Sequence, residues 1–536
     1  MAHDEAGWPP HPGTWLDRVA DLPLVIILPR MSGELKALEY HKGTQHPNGA
    51  LLDFRHRYFP GMRPSLYKEY FGLPSVALPV GAAVDEPPAL SVIGGFSNEA
   101  GVPDLQALAR ILHYSAGITK TIRGYPFRAA ACTGALYHIE LYVVSGEIAG
   151  LEAGVYHCDP KHSQLHKLRE GDYRAELADA AGGHEAVRHA PLTIAYTDVY
   201  WRNAVKYQAR AYRHSFWDAG TILANTLAMA SSLRIAATLI MGFVDTEVAR
   251  LLGIDPMEEL PLALVPIGAE AAPAQRTAPQ LGEVQVDWEP KTSGRRAFPV
   301  IPRIHQETSL ADPDSVHAWL QASVSDGASQ SREAPGVPLH SPAAATLPTV
   351  SLERAILRRG SSRAFKRDPI TQEQLATLLD RSIRPIRTDY PRKASLASPY
   401  LIANAVEGLE PGVYRVGERD GEPRLSLQVI RLGEFRAQAA HMALDQDLAG
   451  DAAVNVYFMS DLGQVLASYG ERGYRLAQME AAIMAGWGYL AAYALGIGAT
   501  GLTFFDEAVE DFLGASVDGL KVMFLLAVGV PAIERA

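Results

Sequence analysis

The sequence predicts an α+β fold that is used twice in one chain, with the two copies packed as an intramolecular pseudo-dimer. Two observations support this prediction. Similar segments recur in the same order in the two halves of the chain, and each half alternates helical patterns with strand patterns. A chain of 536 residues is also too long for one ordinary core. Two copies of one fold most simply pack about a pseudo-two-fold axis, as the subunits of a homodimer do.

Four pairs of similar segments define the repeat. The pairs are LARILHYSAGITKT from Leu108 with LATLLDRSIRPIRT from Leu375, LYVVSGEIAGLEAGVYH from Leu141 with PYLIANAVEGLEPGVYR from Pro399, KYQARAYRHSFWDAG from Lys206 with SYGERGYRLAQMEAA from Ser468, and LLG before Ile254 with FLG before Ala515. Their offsets are 267, 258, 262 and 261 residues, so the segments keep one order in both copies.

The same elements are predicted for each copy. A helix and a loop come first, and then a strand rich in β-branched and aromatic residues, a hairpin and a second strand. A long alanine-rich helix follows, whose small residues allow another helix to approach closely. A strand, a short helix and a final strand, PLALVPIG or VMFLLAVGV, complete the copy. Mixed strands and helices of this kind predict an α+β layered domain.

Composition divides the chain into four parts. Residues 1–95 form an N-terminal extension, residues 96–269 the first copy and residues 351–536 the second copy. Between the copies, residues 270–350 contain ten prolines, from position 273 to position 348. This composition predicts a linker that wraps around the copies or stays mobile.

Charge and cysteine content exclude several classes of function. The net charge of −11 disfavours nucleic acid as a partner and leaves no polybasic surface for a membrane. No apolar run approaches the roughly 18 residues of a spanning helix, and no signal-peptide pattern opens the chain. With only Cys132 and Cys158, a disulfide framework is excluded, so we expect a cytoplasmic protein.

One hairpin has the spacing of a metal site. Its candidate ligands are His157, Cys158, His162 and His166. The matching hairpin of the second copy, YRVGERDGEP, has no ligands, so we interpret the four residues as exposed hairpin side chains and expect no metal.

The long helix of the first copy begins with a Lys-Tyr pair, whereas the second copy has serine in place of the lysine. On one continuous helix, Lys206, Arg210 and Arg213 share a face, with Tyr207 beside them. A nearby guanidinium and partial burial both lower the pKa of a lysine, which suits a base that works near neutral pH. A solvated lysine at a helix start is the simpler interpretation of the pattern alone.

The motif RGSSR lies just before the first helix of the second copy. On an extended backbone, Arg359, Ser361 and Arg363 point to one side, where two guanidinium groups and a hydroxyl would form an anion cradle. A solvated basic turn remains the alternative. The first copy has no such motif, and its nearest basic cluster is FRHRYF at residues 54–59.

The loop before the first strand shows the opposite difference. The first copy has a run of small residues there, and the second copy is shorter by 7 residues over the same interval. Small residues and a glycine let backbone groups approach a planar ring closely. The run begins after Arg128 and consists of Ala131, Cys132, Thr133, Gly134 and Ala135. We interpret Cys132 as a packing residue rather than a reactive thiol.

Three of these segments together resemble the nitroreductase-like flavoproteins, and specifically the SagB/ThcOx-type dehydrogenases. The segments are RAAACTGALYHIELYVV, KYQARAYRHSFWDAGTILAN and RRGSSRAF. The resemblance implies an FMN enzyme with two nitroreductase-like α/β/α domains, in which the loop and the phosphate-binding arginines of one flavin site come from different copies. Since each copy has kept only one of these parts, we expect one composite FMN site and one degenerate pseudo-site. The usual Pro-Ser of the family loop is replaced here by Ala131-Cys132.

The resemblance also implies roles for the site residues. The flavin contacts are expected from Arg128, the loop from Ala131 to Ala135, Asn225, Arg359, Ser361 and Arg363. A structural hydrogen bond is an equally good explanation of Asn225. Lys206 and Tyr207 are expected to take a substrate proton while a hydride passes to the flavin, which converts an azoline ring of a peptide or natural product into an azole.

Three functions remain open at this point. The first is an FMN-dependent dehydrogenase or oxidase that acts on an azoline-like heterocycle. The second is an NAD(P)H-dependent nitro or quinone reductase, and the third is a non-catalytic scaffold of a biosynthetic complex. The expected partners are a small-molecule or peptide substrate and, as a further class, other biosynthetic enzymes.

Overall fold

The computed structural model describes residues 36–47, 64–84, 87–97, 101–269, 271–273, 281–282, 284, 288–289, 298–321, 336–391, 394–418 and 424–532. The basic cluster at residues 54–59 lies outside these ranges, as do parts of the N-terminal extension and of the linker. Among the described residues, no helix is both long enough and apolar enough to cross a membrane.

The first half of the chain forms the predicted mixture of strands and helices. In chain order, the elements are α1 (Ala37–Gly43), β1 (Glu69–Tyr70), β2 (Ser75–Ala77), α2 (Ala89–Val92), α3 (Leu105–Ala116), β3 (Ile118–Ile122), β4 (Tyr125–Arg128), β5 (Ile139–Ser145), β6 (Gly154–Asp159), β7 (Gln164–Glu170), α4 (Arg174–Ala180), α5 (Glu185–Arg188), β8 (Leu192–Asp198), α6 (Trp201–Tyr207), α7 (Ala211–Ser232), α8 (Asp245–Leu252) and β9 (Leu260–Ile267).

The second half repeats this order after a connecting segment. The segment contains β10 (Trp288–Glu289), α9 (Val300–Glu307), α10 (Pro313–Leu320) and β11 (Val337–Leu339). The second copy contains α11 (Leu352–Arg358), β12 (Phe365–Lys366), α12 (Gln372–Ser382), β13 (Ser398–Ala403), β14 (Gly412–Glu418), β15 (Leu425–Leu432), α13 (Arg436–Met442), α14 (Asp447–Asp451), β16 (Val454–Ser460), α15 (Leu462–Tyr469), α16 (Gly473–Ala494), β17 (Gly498–Leu502), α17 (Asp506–Leu513) and β18 (Lys521–Pro531).

Each copy is built on one antiparallel sheet. In the first copy the strand order is β2-β7-β6-β5-β8-β9. In the second copy it is β11-β15-β14-β13-β16-β18-β12, and β17 also pairs with β18. Strands β5, β8, β9 and β16 are buried along their whole length, which explains their mostly apolar sequences. The sheet order is therefore the same in both copies, as the repeat predicts.

The two copies meet along the 22-residue helices α7 and α16. Gly220 of α7 faces Ala482 of α16, and a Cβ atom added to Gly220 would lie 2.5 Å from the Cβ of Ala482. The reciprocal contact is made by Gly486 of α16, where an added Cβ atom would lie at the same distance from the Cβ of Ala224 in α7. In each contact the two residues lie 262 positions apart, so each faces its own equivalent across the pseudo-two-fold axis. One member of each pair must be glycine, since no room remains for two Cβ atoms.

Buried ion clusters join each copy to the other at both ends of this interface. Each cluster consists of one aspartate at the start of a short helix and two arginines at the start of the opposite long helix: Asp506 with Arg210 and Arg213, and Asp245 with Arg472 and Arg475. The four N–O distances lie between 2.6 and 2.8 Å. Burial alone would raise the pKa of both aspartates, but the arginines hold each pKa well below its usual value.

The structural repeat extends into the segments that precede each copy. In α1, the carbonyl of His41 and the hydroxyl of Thr44 accept hydrogen bonds from an arginine of α7. In α9, His305 and Thr308 accept the same bonds from the equivalent arginine of α16. Both pairs of residues are 264 positions apart. Part of the N-terminal extension and part of the proline-rich linker are therefore equivalent elements, which the sequence comparison did not detect.

Candidate functional site

The loop before β5 and the Lys-Tyr pair lie against each other. Gly134 has a φ of +63°, and a Cβ atom at this position would lie 2.8 Å from the hydroxyl of Tyr207 and 3.3 Å from the amine of Lys206. The next residue, Ala135, also has a positive φ of 53°, and the hydroxyl of Tyr125 donates to its carbonyl at 2.8 Å. The glycine is needed here both for its backbone conformation and for the space that the two side chains fill.

The RGSSR segment of the second copy contacts this loop of the first copy. The guanidinium of Arg359 donates from Nε to the carbonyl of Ala129 at 2.7 Å and from Nη2 to the carbonyl of Arg128 at 2.9 Å. From the other direction, Lys120 of β3 donates to the carbonyl of Arg359 at 3.1 Å. Residues of both copies thus meet at one place, as a composite site requires.

The three polar residues of RGSSR have different surroundings. Arg359 is buried and bonded to the loop, whereas Arg363 is exposed. Ser361 is half-buried, and its hydroxyl lies 3.4 Å from that of Tyr489. The side chain of Arg359 thus secures the loop, and the anion cradle formed by the three residues stays a prediction.

Lys206 is half-buried, and burial together with the positive charge of Arg363 lowers its pKa. The sequence interpretation was wrong about the source of this charge. Arg210 and Arg213 are bound to Asp506 rather than placed beside the lysine. The reason is a break in the helix, since α6 ends at Tyr207 and α7 begins at Ala211.

The break is located at Gln208, which has φ of 52° and ψ of −138°. Residues other than glycine rarely adopt this conformation, which stores strain. In the second copy the equivalent residue is Gly470, with φ of 61° and ψ of −162°. The first copy therefore keeps a strained residue directly after the Lys-Tyr pair, where the second copy has the residue that removes the strain.

Helix α7 holds the loop at three consecutive residues. Thr221 donates from its hydroxyl to the carbonyl of Ala131 at 2.7 Å. Asp218 accepts from the backbone N–H of Thr133 at 2.9 Å and from the thiol of Cys132 at 3.1 Å. Burial and the neighbouring carboxylate of Asp218 raise the pKa of Cys132, which favours the neutral thiol.

Two further predicted flavin contacts have protein partners. Asn225 donates its side-chain amide to the carbonyl of Tyr114 in α3 at 2.8 Å, so it makes the structural bond that was the alternative explanation. Arg128 donates from Nη2 to the carbonyl of Leu66 at 2.7 Å and lies over the ring of Tyr137. Its Nε is buried and has no hydrogen-bond partner among the described residues.

A small pocket lies beside this arginine and the loop. Arg128, Ala130, Ala131, Cys132 and Tyr137 line one part of it. The donors around the loop include a buried arginine nitrogen that has no partner in the described part of the chain, an exposed arginine and a half-buried lysine. These residues fit a ligand that combines a flat ring with an anionic group.

The pseudo-equivalent place in the second copy is filled by aromatic side chains. Tyr469, the equivalent of Tyr207, packs against Tyr390 and against Trp319 of α10, with ring centroids 5.7 and 6.3 Å away. The indole of Trp319 also donates to the carbonyl of Tyr469 at 3.0 Å. A Cβ atom on Gly242 would lie 2.8 Å from the same indole, so the packing there is tight.

The hairpin with metal-like spacing differs from the prediction. His157, Cys158 and His166 are buried rather than exposed, because β6 and β7 both lie inside the sheet, between β5 and β2. The imidazole of His157 lies 3.0 Å from a carboxylate oxygen of Glu140. Only His162 of the four is exposed.

Sequence reasoning missed a second polar group beside the loop. His138 lies between two carboxylates, with Nδ1 at 2.6 Å from Asp198 and Nε2 at 2.7 Å from Asp218. Burial opposes the charged imidazole, but the two aspartates raise the pKa of His138 to about 9. The repeat carried a signal for Asp218, since an acid, Glu480, also stands 262 residues later.

Comparison with known proteins is consistent with this geometry. The sequence profile of the nitroreductase family matches residues 95–269 and again residues 356–530. A nitroreductase-family protein of Methanocaldococcus jannaschii, MJ1384, is 30% identical over 164 residues, which are 31% of this chain and 80% of that protein. The trifolitoxin-processing protein TfxB of Rhizobium leguminosarum bv. trifolii is 31% identical over 165 residues, which are 29% of this chain and 44% of TfxB.

A solved structure covers almost the whole arrangement. A nitroreductase-like protein from Anabaena variabilis superimposes with a TM-score of 0.73 and 26% identity. The superposition covers 93% of this chain and 100% of that chain. The match to TfxB, in contrast, spans less than half of that protein's length.

Proposed function

Because this chain belongs to the nitroreductase family, a family of oxidoreductases, we propose that it is an FMN-dependent dehydrogenase with one composite flavin site per chain. The observation that carries the proposal is the contact between Gly134 of the loop and the Lys206–Tyr207 pair, with Arg363 of the other copy beside the lysine.

The residues of both copies would hold the cofactor together. The loop backbone from Ala131 to Ala135 is suited to a planar ring, and Arg128, Ser361 and Arg363 supply donors for its anionic end. Arg359 would act through the loop carbonyls that it binds. Bound FMN would supply an acceptor for two electrons and a proton from the substrate.

The Lys-Tyr pair would move the second proton. A lysine accepts a proton only in its neutral form, and burial and the charge of Arg363 both increase the neutral fraction by lowering its pKa. The phenol of Tyr207 lies beside the same glycine, so it is placed to share this proton or to orient the substrate. The strained backbone at Gln208 fixes the end of the helix that carries the pair.

An azoline-like ring in a peptide or natural product is the proposed substrate. Its oxidation to an azole removes two electrons and two protons, which matches one hydride acceptor and one base. The similarity to TfxB, whose name assigns it to trifolitoxin processing, supports a place in natural-product biosynthesis. The proposed subtype is therefore the SagB/ThcOx-type dehydrogenase.

A comparison of three variants tests the proposal. The double variant Arg359→Ala/Arg363→Ala should lose FMN, because it removes the cation beside the site and the bonds that hold the loop. Lys206→Ala should keep FMN and lose turnover of an azoline substrate by about 10²- to 10⁴-fold, the usual contribution of a general base. The matched control is Ser468→Ala at the equivalent position of the second copy, which should retain both.

Each outcome distinguishes between functions. Normal turnover by Lys206→Ala would contradict the role of this residue. Rapid bleaching of the flavin by NAD(P)H, with no azoline oxidation, would favour the nitro or quinone reductase. A chain that carries no flavin and binds a peptide partner would favour the scaffold.

A further inference from the structure

Asp218 bonds the loop and its surroundings through one buried carboxylate. It accepts from the backbone N–H of Thr133 at 2.9 Å, from the hydroxyl of Thr133 at 2.7 Å and from the thiol of Cys132 at 3.1 Å. The fourth contact is the imidazole of His138 at 2.7 Å. Only 3% of Asp218 is exposed, so these bonds are shielded from water and correspondingly strong.

A chain of buried groups holds this carboxylate in turn. On its other side, the imidazole of His138 bonds Asp198 at 2.6 Å, and the hydroxyl of Ser215 donates to the same aspartate. His138 and Asp198 are both fully buried. The direction of the Asp218 carboxylate is therefore fixed from strand β8 and from helix α7 together.

The loop needs such support because its own backbone is unfavourable. Positive φ values occur at Gly134, Ala135 and Tyr137 within four residues, and two of these are not glycine. L-residues disfavour this conformation, so the loop keeps it only if neighbouring groups hold it. Asp218 binds Thr133, the residue immediately before Gly134. Gly134 in turn lies against the hydroxyl of Tyr207.

The second copy provides an internal comparison. Glu480, the equivalent of Asp218, accepts from the hydroxyl of Ser395 at 2.5 Å and from the N–H of Leu396 at 2.8 Å. It thus holds the equivalent loop, next to the place that aromatic side chains fill. The position of Asp198, however, is taken by Ser460 in the second copy. Among the described residues of the two copies, the complete Asp-His-Asp chain is found beside the Lys-Tyr pair and not at the equivalent place in the second copy.

We propose that Asp218, oriented by His138 and Asp198, is a positioning residue that holds residues 131–134 in the shape that binds the flavin beside Lys206 and Tyr207. This inference rests on the proposed function, because it assigns the loop to the flavin. It adds residues that act on the cofactor through the loop and do not touch the substrate.

Titration of the flavin-free full-length chain with FMN tests this role. Asp218→Ala should weaken FMN binding by about 10- to 100-fold, since it removes several hydrogen bonds to one charged group. Asp218→Asn should recover part of the affinity, because its amide oxygen still accepts from the N–H of Thr133. At saturation, the visible absorption bands of the flavin in Asp218→Asn should be shifted from those of the unaltered protein.

The matched control is Glu480→Ala. Both alanine variants remove a buried acid that holds a loop, so both should lower the thermal unfolding midpoint of the flavin-free chain. Only the Asp218 variants should change FMN affinity and the flavin spectrum. If Asp218→Ala does not fold, Asp218→Asn carries the comparison with Glu480→Gln.

Two results would overturn the inference in different ways. Equal loss of FMN affinity in the Asp218 and Glu480 variants, or no loss in either, would show that Asp218 has only a structural role, while the proposed function would stand. An unaltered chain that is folded and binds no FMN would overturn the proposed function, and this inference with it.

Discussion

Replacement of Gly134 by alanine should separate the stability of the loop from its function. The new Cβ would lie 2.8 Å from the hydroxyl of Tyr207 and 3.3 Å from the amine of Lys206, so the Lys-Tyr pair must move. The φ of +63° adds a cost of about 1–2 kcal/mol for a residue other than glycine. We therefore expect Gly134→Ala to lower stability by that amount and to lose most of the proposed dehydrogenase activity.

Gly124 supplies the matched control for this variant. It lies in the neighbouring β3–β4 turn, has a φ of +77°, and a Cβ there would meet nothing within 4 Å. Gly124→Ala should therefore lower the unfolding midpoint by a similar amount and leave turnover and FMN content unchanged. Thermal unfolding and steady-state kinetics of both variants are the assays. If both variants lost activity equally, or if Gly134→Ala kept full activity, the contact between the loop and the Lys-Tyr pair would have no functional meaning.

Four further variants test the fold and its electrostatics. Gly220→Ala should destabilise the chain by about 1–3 kcal/mol through overpacking, and adding Ala482→Gly should restore most of that loss, because the swap keeps one Cβ at the axis. Asp506→Asn should cost about 3–5 kcal/mol, since it leaves two arginines buried with one acceptor lost. Gln208→Gly should raise stability by about 1 kcal/mol, because relief of backbone strain exceeds the entropy cost of glycine. The unaltered chain should lose roughly 3 kcal/mol of stability as the pH rises from about 6.5 to 9, and His138→Gln should not show this loss.

The sign of the pH effect follows from the direction of the pKa shift. The folded chain holds the His138 proton more tightly than the unfolded chain, so the stabilisation is complete below the unfolded pKa and is lost as the pH rises through the folded one. Unfolding in urea at several pH values measures this, and an unchanged slope in His138→Gln would contradict it. Asp245 and Asp506 of the interface ion clusters behave in the opposite way, because their lowered pKa makes stability fall with decreasing pH.

Controls for the other variants come from the same chain. Asp451→Asn removes an ion pair with Arg367 that is largely exposed, so it should cost less than about 1 kcal/mol, in contrast to Asp506→Asn. For the helix interface, failure of Ala482→Gly to restore Gly220→Ala would argue against the close axial contact. For Gln208→Gly, a lower unfolding midpoint would mean that the residue is not strained.

The repeat and the fold were predictable because the two copies keep the order and spacing of similar segments even where their residues differ. The long helices α7 and α16 were recognised from the two similar segments that begin at Lys206 and Ser468, at an offset of 262 residues. The tandem α+β arrangement follows from such offsets and is confirmed by the family match over both copies. The division of the chain at residues 95, 269 and 350 stays a prediction, and the equivalence of α1 and α9 shows that the structural repeat begins before each copy.

The partners of the charged residues were less predictable, because they depend on breaks and long-range contacts. A single residue, Gln208, interrupts the helix and turns Arg210 and Arg213 away from Lys206. Periodicity alone cannot show such a break. The repeat itself indicated a structural role, because both arginines recur in the second copy, which has serine in place of the lysine. Side chains that both copies share are more readily structural than catalytic.

The contrast between the two loops was easier to predict than its physical basis. The sequence showed that the second copy had a shorter loop and no lysine, and the structure adds the aromatic packing of Trp319, Tyr390 and Tyr469. Trp319 comes from the linker, about 150 residues from Tyr469, so no local pattern could assign it to this place.

The number of FMN molecules bound per chain tests the composite-site proposal most directly. The measurement is release and quantification of flavin from the purified chain, followed by titration of the flavin-free chain with FMN. We expect one FMN per chain, lost in Arg359→Ala/Arg363→Ala and retained in Ser468→Ala. Two FMN per chain would contradict the account, because the aromatic packing of the second copy would then have to open, and no FMN would contradict the assignment of the site itself.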